Sequence, residues 1–128
     1  MEGLLADLEA YLISKGHSKE IIKKTEKGLQ ISYNMGLISL TRTPVCEKES
    51  YTAILYFKPS NLKDYGEDLR KHVTAHAVAL KALANPELFT ATISSEKDFG
   101  RIDLMFDTIE KYIKLYNEAY FAPANSNI

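Results

Sequence analysis

The run Tyr51-Thr52-Ala53-Ile54-Leu55-Tyr56-Phe57 constrains this chain more than any other part of it. Its residues are β-branched, aromatic or otherwise apolar at both parities. The charged Glu47-Lys48-Glu49 precedes it and Pro59 follows. That composition between breakers reads as a β-strand. A strand carries a full row of backbone donors and acceptors that need partners, so the chain must build a sheet around this one. Tyr51, Ala53, Leu55 and Phe57 share one face, and Thr52, Ile54 and Tyr56 the other. Apolar residues on both faces predict a central strand covered on both sides, with Leu55 and Phe57 buried. Pro59, which cannot donate to a ladder, ends it.

Partners for this strand are visible upstream. Leu29, Ile31 and Tyr33 alternate with Gln30, Ser32 and Asn34, the period of a half-buried strand. Asn34-Met35-Gly36 supplies turn chemistry, because Asn and Gly tolerate positive φ. Leu37–Arg42 then returns, so residues 29–42 predict a β-hairpin. Pro44 opens a loop that runs through Glu49. Downstream, Leu88–Ser94 is strand-like and Glu96-Lys97-Asp98-Phe99-Gly100 reads as a connecting turn. The stretch after it has two readings. Ile102, Leu104, Phe106 and Thr108 alternate with Asp103, Met105 and Asp107, as in a strand over 101–109. Ile102, Met105, Phe106, Ile109, Tyr112, Ile113 and Tyr116 equally form a helical stripe over 101–120. Both stay open.

Helices fill the rest. Leu4, Leu5, Leu8, Tyr11 and Leu12 lie on one stripe of a helix over 1–15, closed by Gly16. Ser18 can cap a short helix over 19–27, burying Ile21 and Ile22 and stopped by Gly28. Asp64 and Glu67 have the spacing of a cap and its reciprocal acid. They open a long helix over 64–84, whose predicted face is Leu69, Val73, His76, Ala77, Leu80, Leu83 and Ala84. Asn85-Pro86 closes it. The expected fold class is α+β: N-terminal helices and a small, mostly antiparallel sheet packed by the long helix. The 128 residues suit one domain with one core, ending in a loose tail over about 121–128.

Composition narrows function more by exclusion. Hydrophobic residues make up 45% and charged ones 26%, a folded globular balance. A formal net charge of -1 gives no global attraction to nucleic acid or anionic membrane. No apolar run approaches the ~20 residues of a membrane helix. The N-terminus has no secretory pattern and Cys46 is the only cysteine, so an internal disulfide is excluded and the cytoplasm is the expected site of synthesis.

Each candidate for chemistry has an ordinary reading beside it. Asp68, His72 and His76 fall on one helical stripe, as zinc ligands do, but His72-Val73-Thr74-Ala75-His76 lacks the glutamate of the metalloprotease motif. His76 sits on the apolar face, where a packed histidine is the commoner case. Cys46 is a loop thiol that would need a histidine close in space to act as a nucleophile, and an inert thiol is the commoner case. Asp103 and Asp107 could pair as catalytic acids or simply face solvent. Lys19, Lys23, Lys24 and Lys27 make a basic helix face without the aromatics of a nucleic-acid surface. No CxxC, GxSxG or phosphate-binding glycine loop occurs. No catalytic, cofactor-binding or metal residue is therefore assigned, and the expectation is a non-enzymatic protein with no cofactor and no bound zinc. The eight tyrosines are more informative. Tyr112, Tyr116 and Tyr120 suit either a core edge or an interface with another protein.

The order of elements, with particular stretches, resembles the tail completion (tail terminator) proteins of long-tailed bacteriophages, especially the GpR-like proteins of contractile-tailed temperate phages. Leu29–Ile38 resembles their strand, Asn-Gly turn and returning strand. Glu49–Phe57 resembles their charged loop and central strand. Leu88–Ile93 and Arg101–Phe106 resemble their last hairpin. The resemblance spans about residues 29–113 and implies a structural protein that forms a homo-oligomeric ring, a hexamer, on the end of the tail tube. There it would end tube polymerisation and present the joining surface for the head. The implied partners are further copies of itself, the tail tube protein and head–tail connector proteins, with no membrane and no sequence-specific nucleic acid. The implied place is the tail–neck region of the virion, after assembly in the host cytoplasm. The hairpin 29–42, the loop 43–50 and the tyrosine-rich end are the expected contacts. A protein-interaction or regulatory module with another partner, and a small metal-dependent enzyme, are the competing readings.

Overall fold

The computed structural model describes residues 3–44, 47–57 and 69–122. Helix α1 (Gly3–Ser14) buries Leu4, Leu5, Leu8 and Leu12. Its end is a Schellman motif. Gly16 N donates to Ile13 O (3.0 Å) and His17 N to Leu12 O (3.1 Å). Gly16 takes φ +96, which a side chain would resist.

The predicted helix over 19–27 is not formed. Ser18 does cap, accepting from Glu20 N (3.1 Å), but only a single 3-10 turn over Lys19–Ile21 follows. The chain then extends as β1 (Ile22–Lys24). The β-branched pair Ile21-Ile22 favours extension, and Ile22 finds Ile31 across the ladder. Gly28 starts a strand instead of stopping a helix. A Cβ there would lie 1.9 Å from Leu40 O, so the close approach of two backbones requires glycine.

β2 (Gly28–Tyr33), β3 (Gly36–Arg42), β4 (Tyr51–Phe57) and β5 (Thr90–Ile93) complete a five-stranded sheet in the order β1-β2-β3-β4-β5. Every pairing is antiparallel. The hairpin expected at 29–42 is β2–β3, closed where Tyr33 pairs with Gly36 and Asn34 takes φ 51. The α+β class holds, with a simple antiparallel meander as its sheet.

The two readings of the C-terminal part resolve in favour of helix. Residues 99–120 form α3 (Phe99–Tyr120), so the strand over 101–109 is not formed. The last hairpin implied by the phage resemblance is therefore absent, and only its first strand exists, as β5. A capping box opens a 3-10 turn over Glu96–Asp98 that leads directly into α3, which has no side-chain cap of its own. Ser95 Oγ accepts from Lys97 N, while Asp98 Oδ2 accepts from Ser95 N (3.1 Å) and Ser94 N (2.7 Å). The expected helical stripe is the buried one: Ile102, Met105, Phe106, Ile109, Tyr112 and Tyr116. Thr108, also buried, is satisfied by Leu104 O at 2.8 Å.

Packing differs from expectation in two respects. The helices on the sheet are α1 and α3. Leu8, Leu12, Ile102 and Ile109 meet Leu29, Ile31, Ile38, Leu40, Leu55 and Ile93 in one buried cluster. Helix α2 (Leu69–Ala82) lies against α3 in a second cluster, Ala75, Ala79, Leu83, Tyr112 and Tyr116. The predicted face of α2 is rotated. His72, Ala75 and Ala79 are buried, whereas Leu69 and Val73 are 48% and 57% exposed. The proposed cap at Asp64 and Glu67, Pro59, Asp68, Cys46 and the tail from Pro123 lie outside the described residues.

Candidate functional site

The register sorts the sheet into two unlike faces. Under the helices run the rows Ile22–Ile31–Ile38–Leu55 and Leu29–Leu40–Ala53–Ala91. The opposite face carries Ser32–Leu37–Tyr56, Lys23–Gln30–Ser39–Ile54–Thr90 and Thr41–Thr52–Thr92. The prediction that β4 is covered on both sides is thus half met. Leu55 is buried and Phe57 half-buried, but Tyr56 is 50% exposed and Ile54 only half-buried. Leu37 and Ile54 belong to neither buried cluster. No position that β2, β3, β4 and β5 present on this face is charged. A solvated sheet face ordinarily carries polar and charged residues, and here the one strand charge on it is Lys23, at the β1 edge. This face instead offers hydroxyls around Leu37, Ile54 and Tyr56, which suits contact with another surface.

The histidines and tyrosines singled out in the sequence meet between α2 and α3. His72 and His76 stack at 6.1 Å. His72 Nδ1 pairs with Tyr116 Oη (2.7 Å) and His76 Nδ1 with Tyr112 Oη (2.6 Å). Tyr112 stacks on Phe57 (4.0 Å) and Tyr116 on Tyr120 (5.7 Å). Burial, and then the neighbouring His72, push the His76 pKa down, so its ring is held neutral. The ladder fastens one helix to the other. Tyr112 and Tyr116 are spent within the chain, at the core edge. Tyr120 is half-buried, with Lys71 Nζ over its ring at 5.7 Å. Among the described residues no group of three or more His, Cys, Asp and Glu could hold a metal ion.

The remaining candidates are dispersed. Asp103 accepts a hydrogen bond from the Tyr11 hydroxyl, whose pKa it raises, while Asp107 faces solvent. Both acids lie on α3, not on a strand. The four lysines do not share a helix face: Lys19 is in the 3-10 turn, Lys23 and Lys24 point to opposite sides of β1, and Lys27 is in the turn before β2. The loop expected to make contacts is tied down at one end. Glu49 accepts from Leu4 N (3.0 Å) and from the Tyr51 hydroxyl (2.8 Å). These bonds, the Leu4 amide foremost, hold its carboxyl below the usual range. Gly3 makes room for it, since a Cβ would sit 2.5 Å from Glu49 Oε1.

Sequence reasoning missed two polar ties across the fold, Tyr11 to Asp103 and Tyr33 to Glu110 (2.5 Å). No local signal marks a pair so far apart in the chain. No helix among the described residues is long and apolar enough to cross a membrane. No family model, no curated protein and no solved structure matches the chain.

Proposed function

We propose that this chain is a structural protein that completes a bacteriophage tail by capping the tail tube as a homo-oligomeric ring, a hexamer. The ring ends tube polymerisation and gives the head its joining surface, in contact with the tube protein and the head–tail connector. The observation that carries this reading is the sheet face of Leu37, Ile54 and Tyr56, exposed or half-buried and uncharged across β2 to β5. It is the kind of surface that a protein working by contact needs and an enzyme does not. The resemblance of residues 29–57 to tail completion proteins also supports it, with the strand, turn, strand and central strand in matching order. A closed ring asks each copy for two different complementary flanks and a further face for the tube.

The test is made in a phage whose genome encodes this chain. Removing the gene is expected to leave unjoined heads beside tails of abnormal length or with unfinished ends in electron micrographs. Normal, fully joined particles would overturn the proposal. The double variant Ile54→Lys, Tyr56→Lys narrows the same test, since it charges the sheet face without touching the buried clusters.

A further inference from the structure

Two of the described helices, α1 and α2, are opposite in charge. Leu69–Ala82 carries Arg70, Lys71 and Lys81 and no Asp or Glu, whereas Gly3–Ser14 carries Asp7 and Glu9 and no base. Beside α1, α3 adds Asp103, Asp107 and Glu110, against the single base Arg101 over Phe99–Glu110. Both regions also offer apolar surface. On α2, Leu69 and Val73 stand 48% and 57% exposed one turn apart, and Arg70 and Lys81 lie along one side of them, away from the buried face, with Lys81 more than two turns beyond Val73. Between α1 and α3 lies a shallow cleft of about 410 Å³, lined by Asp7, Ala10, Tyr11, Ser14, Glu96 and Phe99. The two patches are unlike in charge and belong to different helices.

We infer that these are the two halves of one interface: α2 of one copy docks its Leu69–Val73 stripe on the acidic α1–α3 cleft of the next. The occupant is a second copy of this chain because the molecule carries both complements. Arg70 and Lys81 meet the carboxylates around the cleft, and the apolar stripe meets Ala10, beside the Tyr11 ring over which Lys15 Nζ lies at 5.4 Å. Such a contact is heterologous and repeats from copy to copy, closing into a ring when the rotation allows. This assignment rests on the ring proposed above and names its flanks. Opposed charge patches set the register of approach and disfavour like-to-like pairing.

Charge reversal tests it. Variant one is Arg70→Glu, Lys81→Glu; variant two is Asp7→Lys, Asp107→Lys. All four side chains are exposed and none joins the buried clusters, so circular dichroism should be unchanged. Sedimentation velocity is run on each protein over a wide concentration range. Wild type is expected to associate, and more weakly as salt rises. Each variant alone should need at least ~10-fold more protein to associate. An equimolar mixture of the two should recover wild-type association, because every junction is again opposite in charge. Association that persists in either variant, or a mixture that does not recover, overturns this interface and leaves the ring reading to its own test. Recovery as a closed dimer, with no larger species, keeps the interface and refuses the hexamer. A wild type that stays monomeric throughout overturns the interface.

Discussion

At the scale of single residues, the chain relies on polar side chains held at helix contacts. His76 is the sharpest case. Burial and His72 lower its folded pKa beneath the ordinary 6.5, so the unfolded chain takes up a proton first as pH falls. The stability that neutral His76 provides is therefore complete above about pH 6.5 and is lost as pH drops towards the folded value. The expected result is a melting temperature that falls between pH 7 and 5, with a shallower fall in His76→Gln. Equal slopes in the two proteins, measured by calorimetry, would contradict this. Glu49 has the opposite chemistry and the same sign. Its lowered folded pKa makes its contribution present at neutral pH and lost only in acid, below the histidine window. The two effects are separable by pH alone.

At the scale of elements, the close fit of α3 on the sheet decides what each strand tolerates. Gly36 lies directly under Ile109, whose side chain would be 2.4 Å from a Cβ at that position. Gly36→Ala is expected to cost about 1–3 kcal/mol in urea melts, the usual range for overpacking. In an Ile109→Ala background the same change should cost clearly less, because the obstacle is gone. Equal costs in both backgrounds would mean that α3 does not press on β3. Much of this architecture was legible in the sequence. The hairpin at 29–42 and the strand at 51–57 were readable because alternation and Asn-Gly turn chemistry are local. The α1 stripe was readable for the same reason. Residues 101–120 were not settled by period, since the same apolar residues fit a strand or a helix. The turn expected at Glu96–Gly100 begins as a capped 3-10 turn that runs on into α3, and Ser95 and Asp98, at capping-box spacing, are the local signal for a helical continuation. The face of α2 could not be read. Its apolar residues span more of the helix than one neighbour covers, and only the position of α3 decides which half is buried. The open sheet face was illegible for a related reason, because Ile54 and Tyr56 look like core until α1 and α3 are seen packed on the other face.

At the scale of the whole molecule, the meander leaves two sheet edges, and both are guarded. β1 is three residues long and carries Lys23 and Lys24. β5 is four residues long, and Arg101 donates from Nη2 to Thr90 O (3.2 Å) and Glu87 O (3.3 Å) beside it. Short edges and edge lysines block strand-to-strand growth, which has no natural end. The ring proposed above would then rest on side-chain surfaces, whose geometry can close at a fixed number of copies. The guard itself is open to test at the β1 edge. Lys23→Val, Lys24→Val removes both charges and adds β-branched residues to an exposed strand. The variant is expected to keep its fold, since both lysines are exposed and lie outside the buried clusters. On standing at high concentration it should form thioflavin-binding aggregates of unlimited size, while the wild type gives only discrete species in light scattering. If the variant shows the same discrete species and no thioflavin signal, the lysines do not guard the edge, and the limit on growth must come from elsewhere in the surface.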